Sequence, residues 1–80
     1  MHYVYLIKSE NFSERIYIGF TTNLKRRLQV HNAGGSIHTA PFKPWVLHAY
    51  LAFEDKIKAL EFEKYLKSNS GRAFAKKRFW

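Results

Sequence analysis

Five residues have the types and spacing that could do chemistry: Tyr5, Tyr17, Arg27, His31 and Glu63. Arg27 and His31 lie one helical turn apart within Thr21-Thr-Asn-Leu-Lys-Arg-Arg-Leu-Gln-Val-His31. At about 100° per residue, Leu24, Leu28 and Val30 define an inward side, Arg27 and His31 fall within that arc, and Lys25 and Arg26 face away. Arginine is seldom buried without a partner, and here it would lean over strands that offer tyrosine hydroxyls. A polar cluster of this kind calls for a ligand. With 14 Lys and Arg against 6 Asp and Glu, a net charge of +8, the favoured partner is an anion, nucleic acid first and a membrane surface second.

The segments that must position these groups read as a hairpin, a helix, a third strand and two more helices. Tyr3-Val-Tyr-Leu-Ile-Lys8 and Arg15-Ile-Tyr-Ile-Gly19 are short and rich in β-branched and aromatic residues, the composition of strands, and Ser9 to Glu14 is their turn. Alternation puts Tyr3, Tyr5 and Ile7 on one face and His2, Val4 and Leu6 on the other, with Tyr17 opposite to Ile16 and Ile18. Gly19 ends the second strand, for a sharp turn or for the close approach of another group. Thr21, Thr22 and Asn23 are candidate N-caps for the first helix, and Gly34 or Gly35 closes it in the left-handed conformation.

Ile37 to Pro44 is a loop carrying His38, Thr39 and Lys43, equally readable as a phosphate contact and as a plain connector. Trp45 to Phe53 is the third strand; both of its alternate series are largely apolar, which places it centrally or under helices. Glu54 to Lys67 is the second helix, with Ala59, Phe62 and Leu66 on one stripe. Beside that stripe Glu63 either looks into a cleft or forms an exposed pair with Lys67 four residues on. Ser68-Asn-Ser-Gly71 breaks that helix, and Arg72 to Trp80 forms a short final one whose Arg72, Lys76 and Lys77 are either a solvated face or phosphate contacts.

Eighty residues leave room for one domain, residues 1–80, with one small core. No stretch approaches the roughly 20 apolar residues of a membrane span, and no export signal opens the chain, so the expected setting is cytoplasmic and away from membranes. Cysteine is absent, which excludes disulfides and thiolate metal sites. His2, His31, His38 and His48 show no zinc-ligand spacing.

Taken together, Tyr3-Val-Tyr5, Tyr17-Ile-Gly19, Arg27, His31 and Glu63 within Ala59-Leu-Glu-Phe-Glu-Lys-Tyr-Leu-Lys67 resemble the GIY-YIG nuclease domain. The likeness spans nearly the whole chain and is strongest to small single-domain members related to the N-terminal nuclease domain of the bacterial excision-repair endonuclease. It implies an α+β fold, a three-stranded antiparallel sheet flanked by helices, and cleavage of nucleic-acid phosphodiesters with one divalent metal, Mg²⁺ or Mn²⁺. By that resemblance Tyr5 and Tyr17 match the motif tyrosines, Arg27 the helix arginine, His31 the histidine one turn later, and Glu63 the metal-binding carboxylate. Tyr3 stands where the family name has glycine, a mainly structural position, and Asn69 lies near, without clearly matching, an asparagine found after the glutamate helix in many relatives.

Phosphodiester hydrolysis needs a deprotonated nucleophile, charge stabilisation at phosphorus and help for the leaving oxygen. Arg27 suits the second need through its planar fork. A tyrosine beside a guanidinium suits the first; Tyr17 is the preferred base with Tyr5 orienting, and His31 is an alternative that shares or takes the proton. A metal-dependent endonuclease acting on DNA more than RNA, in DNA repair or recombination, is therefore the leading expectation. The alternative is a non-catalytic DNA- or RNA-binding module on the same scaffold. In either case a protein partner or self-association is the expected source of specificity.

Overall fold

Strands β1 (His2–Ser9), β2 (Ile16–Thr21) and β3 (Trp45–Phe53) pair antiparallel in the order β2-β1-β3. The computed structural model describes all of residues 1–80. Helix α1 (Leu24–Asn32) covers one face of the sheet, and α2 (Lys56–Leu66) and α3 (Asn69–Arg78) cover the other. The expected α+β architecture is the one observed. Alternation along β1 makes this possible, since Tyr5 and Ile7 pack with Trp45, Leu24 and Leu28, whereas Val4 and Leu6 pack with Ile18, Ala59, Leu66 and Ala75. Leu6 and Ile7 are completely buried on opposite faces, and each contributes about 1.5–3 kcal/mol by leaving water.

The third strand lies at the edge of the sheet and under helices, the second of the two placements expected from its apolar series. Its register with β1 shifts between Leu6 and Ile7, so that Leu6 pairs with Ala49 and Ile7 with Leu47. The extra residue, His48, turns Trp45 and Leu47 toward α1 while Ala49 and Phe53 pack on the α2 and α3 side. One sequence parity thus serves both faces, and Val46 and Tyr50 are left about half exposed.

The helix ends follow local chemistry. Asn23 caps α1 by accepting the Arg26 N–H at 3.1 Å. At its other end Gly34 takes φ +80°, while its N–H and that of Gly35 bond back to the His31 and Val30 carbonyls. Val30 meets Gly35 in this closure and is not part of the cluster around Tyr5. Asp55 caps α2 from outside, donating no residue to the helix and accepting the Ile57 N–H at 2.8 Å. Three boundaries differ from expectation. The second helix runs from Lys56 to Leu66 within the expected Glu54 to Lys67, the loop contains a short 3-10 turn at Ala40–Phe42, and Asn69 to Gly71 form the first turn of α3 instead of a break. Ser68 caps that turn, and Gly71 is required because a Cβ there would fall on the Tyr65 carbonyl.

Candidate active site

Tyr5 on β1 stands directly across from Gly19 on β2, and the hydroxyl end of its ring lies against the glycine. A Cβ at position 19 would coincide with the end of the Tyr5 ring, so close approach, and not the end of the strand, is the reason for glycine here. The strand itself continues to Thr21. This packing leaves Tyr5 only 2% exposed and sends its hydroxyl toward α1.

There it meets His31. The Tyr5 hydroxyl lies 2.8 Å from His31 Nε2, and His31 Nδ1 lies 2.7 Å from the hydroxyl oxygen of Thr39. His31 and Thr39 are both 1% exposed. Thr39 is in turn fixed by Trp45, whose indole N–H donates to the Thr39 carbonyl at 2.8 Å. Asn32 holds the start of β3 by bonding both backbone polar groups of Trp45. The imidazole is therefore clamped at both nitrogens in a chain Thr39–His31–Tyr5.

Tyr17 completes the aromatic group. Its ring packs edge-on against His31 at 5.2 Å between centroids and 6.3 Å from Tyr5, and it remains half-buried, open on one side. From the opposite layer Glu63 brings a carboxylate whose side chain is 19% exposed, paired at 3.1 Å with the Lys67 ammonium. Lys67 Nζ sits 6.0 Å from the centre of the Tyr17 ring. Glu63 thus pairs four residues on, and its charge also acts on Tyr5.

The neighbouring charges act on both Tyr5 and His31. Burial first, then the neighbouring Tyr17, with a smaller push from Glu63, raise the Tyr5 phenol to about 12, against a downward pull from Arg27. Arg27 is exposed along most of its length, not buried as its arc suggests, yet its charge reaches Tyr5 and His31. Burial, and secondarily that guanidinium, lower the His31 pKa below the ordinary 6.5. At neutral pH the site thus holds a protonated phenol hydrogen-bonded to an uncharged imidazole, under a fixed positive charge.

Tyr5, Tyr17 and His31 are in contact, and the charges of Arg27 and Glu63 act on Tyr5. The basic residues divide. Arg72 and Lys76 line a groove that begins at Tyr17 and Lys67. Lys43 lies instead beside Gly34 near the end of α1, and Lys77 is exposed on α3 outside the groove. Asn69 is exposed in the first turn of α3. Thr39, expected only as a loop residue, is a partner of His31 that sequence reasoning missed, and Lys67 pairs with Glu63 as one of the two expectations for that glutamate has it. No periodicity joins a loop threonine to a helix histidine eight positions earlier, whereas the i,i+4 spacing of Lys67 to Glu63 was visible.

The Thr39 hydroxyl offers a direct check on the clamp. Thr39→Val keeps the shape and removes the partner of a buried ring nitrogen, so chemical denaturation is expected to show a loss of about 1–3 kcal/mol. An unchanged midpoint would mean that Nδ1 does not depend on this contact.

The donor set also bears on metal binding. No three His, Cys, Asp or Glu side chains gather anywhere in the structure, so a zinc-type cage is absent. The single Glu63 carboxylate, once released by the Lys67 ammonium, fits Mg²⁺ or Mn²⁺, which keep several waters and are held by one or two carboxylates together with substrate phosphates.

Comparison with known proteins supplies the family. The GIY-YIG catalytic domain matches residues 1–78. The UPF0213 protein SH2523 of Staphylococcus haemolyticus is 39% identical over 70 residues, which cover 86% of this chain and 83% of that protein. The structure-specific endonuclease subunit SLX1 of Scheffersomyces stipitis is 43% identical over 67 residues, covering 75% of this chain but 20% of the relative. The solution structure of the UPF0213 protein BH0048 from Bacillus halodurans superposes with a TM-score of 0.56 at 32% identity, over 95% of this chain and 80% of that one.

Proposed function

This chain belongs to the GIY-YIG family, and from that premise we propose that it is an endonuclease hydrolysing phosphodiester bonds in nucleic acid, DNA in preference to RNA. The observation that carries the reading is the 2.8 Å contact between Tyr5 and His31 beneath the charge of Arg27, with the Glu63 carboxylate close by.

The tyrosine keeps its proton at neutral pH, so it acts by exchange and not as a standing phenolate. With the ring proton on Nδ1 donated to Thr39, the Tyr5 hydroxyl donates to Nε2 of His31. As water attacks, its proton passes to the Tyr5 oxygen while the Tyr5 proton passes to Nε2, which leaves hydroxide at phosphorus and an imidazolium held by Thr39. The neutral imidazole 2.8 Å from the Tyr5 hydroxyl favours Tyr5 with His31 over Tyr17 as proton acceptor, and Tyr17 then orients the water and phosphate from the open side. Arg27 holds the phosphoryl oxygens through its fork as their charge grows. The same guanidinium disfavours the imidazolium, so the proton returns readily after the bond breaks. Glu63 would hold Mg²⁺ or Mn²⁺, which when bound supplies a Lewis acid for the departing oxygen.

The relative from Scheffersomyces stipitis is described as structure-specific, and this chain spans about a fifth of it. Recognition of DNA structure rather than sequence, and so of repair or recombination intermediates, is the matching proposal here, with a protein partner or a second copy supplying selectivity.

The test is nicking of supercoiled plasmid. Cutting is expected with Mg²⁺ or Mn²⁺ and not in EDTA, and Glu63→Gln is expected to lose at least about a hundredfold in rate while retaining DNA binding in a gel-shift assay. Equal cutting in EDTA, or by Glu63→Gln, would contradict the assignment. Binding without any cutting by the unmodified chain would mark a non-catalytic binding module instead.

A further inference from the structure

Beyond Tyr17 the site opens into a groove of about 670 Å³ between edge strand β2 and helix α3. The hydrolytic reading does not use it. Its floor is apolar, formed by Ile18, Leu66 and Ala75 with Trp80 at one end, and its rim carries Lys8, Lys67, Arg72 and Lys76. No carboxylate lines it. Tyr17 and Lys67 belong both to this groove and to the cluster around Glu63, so the two spaces are continuous.

This combination selects among anions. A duplex lays its phosphates on a charged surface and keeps its bases stacked inside, so an apolar floor gives it nothing. An unpaired strand offers both parts, phosphates for the rim and a flat π-face for an aromatic wall. The volume is in the range of roughly 300–1,000 Å³ that encloses small organic ligands, enough for a nucleotide. Trp80 is half-buried and already packs at 5.1 Å against His48, the bulged residue of β3, which braces the indole from behind.

We propose that this groove binds an unpaired nucleotide of the substrate strand adjoining the scissile phosphate, with its base against Trp80 and its phosphates on Arg72, Lys76 and Lys8. The proposal rests on the endonuclease reading for the position of the scissile phosphate, and it adds a substrate class: nucleic acid with single-stranded character beside the cut.

Binding is measured in EDTA by fluorescence anisotropy, with a labelled oligothymidylate and a blunt duplex of equal length at one salt concentration. The double variant Arg72→Glu, Lys76→Glu alters two exposed residues and so leaves the fold in place. It is expected to weaken oligothymidylate binding about tenfold or more while changing duplex binding by no more than about twofold. Trp80→Leu, which keeps apolar cover but removes the stacking face, is expected to cost about tenfold on the single strand alone. Equal losses on single strand and duplex would reduce the groove to a general phosphate surface, and no loss on either would show it unused; both results overturn the proposal. If Trp80→Leu does not fold, the charge variant decides. Because EDTA removes cutting from the readout, a chain that shows this pattern but never cuts defeats only the endonuclease reading. A chain that cuts in a Glu63-dependent way without the pattern defeats only the groove.

Discussion

Replacing Arg27 with alanine is expected to slow single-turnover cleavage by about a hundred- to a thousandfold, the usual effect of deleting one preorganised donor to a developing oxyanion. Affinity for DNA should change far less, because thirteen of the 14 Lys and Arg residues remain. The pH profile supplies a second signature. Cleavage requires neutral His31, so the rate rises with pH through the His31 pKa and levels off above it. Burial and Arg27 both hold that pKa under 6.5 in the folded protein, which places the rising limb on the acid side of 6.5. Without the guanidinium the His31 pKa moves up, and the limb moves to higher pH with it. Arg27→Lys should restore the limb, since a charge suffices there, but recover the rate only in part, since the planar fork is lost. A slow variant with an unmoved limb would mean that Arg27 acts on neither His31 nor the phosphate.

Tyr5→Phe is expected to have an effect of similar or larger size, about a hundred- to ten-thousandfold, as removal of a positioned proton acceptor does. Tyr17→Phe should cost clearly less, because its hydroxyl orients without exchanging the proton. The comparison is clean because both substitutions keep the rings that pack against His31. Tyr5→Phe also strips Nε2 of its partner, with a stability loss of about 1–3 kcal/mol, so rates are compared well below either melting transition. The opposite order, with Tyr17→Phe the slower enzyme, would transfer the base role to Tyr17.

Much of this site could be read before its coordinates. The hairpin and the third strand follow from β-branched and aromatic runs, and the strand limits Trp45 and Phe53 are those observed. The 3.6-residue period of α1 correctly aimed His31 at the sheet. It overstated the burial of Arg27, whose long stem lets the charge reach Tyr5 from an exposed position. Period-two reasoning failed at His48, since a bulge moves one parity from face to face and leaves no mark in a run that is apolar throughout. Gly71 read as a helix breaker because close contact with the Tyr65 carbonyl is a tertiary fact, invisible in local propensity. Thr39 reaches His31 only because Trp45 and Asn32 fix the intervening loop against β3. Periodicity locates residues on one element; it says nothing about a loop folded back over a helix end.

The account stands or falls on Tyr5 and His31 working as one proton-transfer unit. The most direct measurement is the single-turnover cleavage rate of Tyr5→Phe, of His31→Gln and of the double variant, with Mg²⁺ at a pH above 7. Residues that act in one step are strongly non-additive, so the double variant is predicted to cut no slower than the slower single one. Losses that multiply in the double variant would show two independent contributions and contradict the shared transfer.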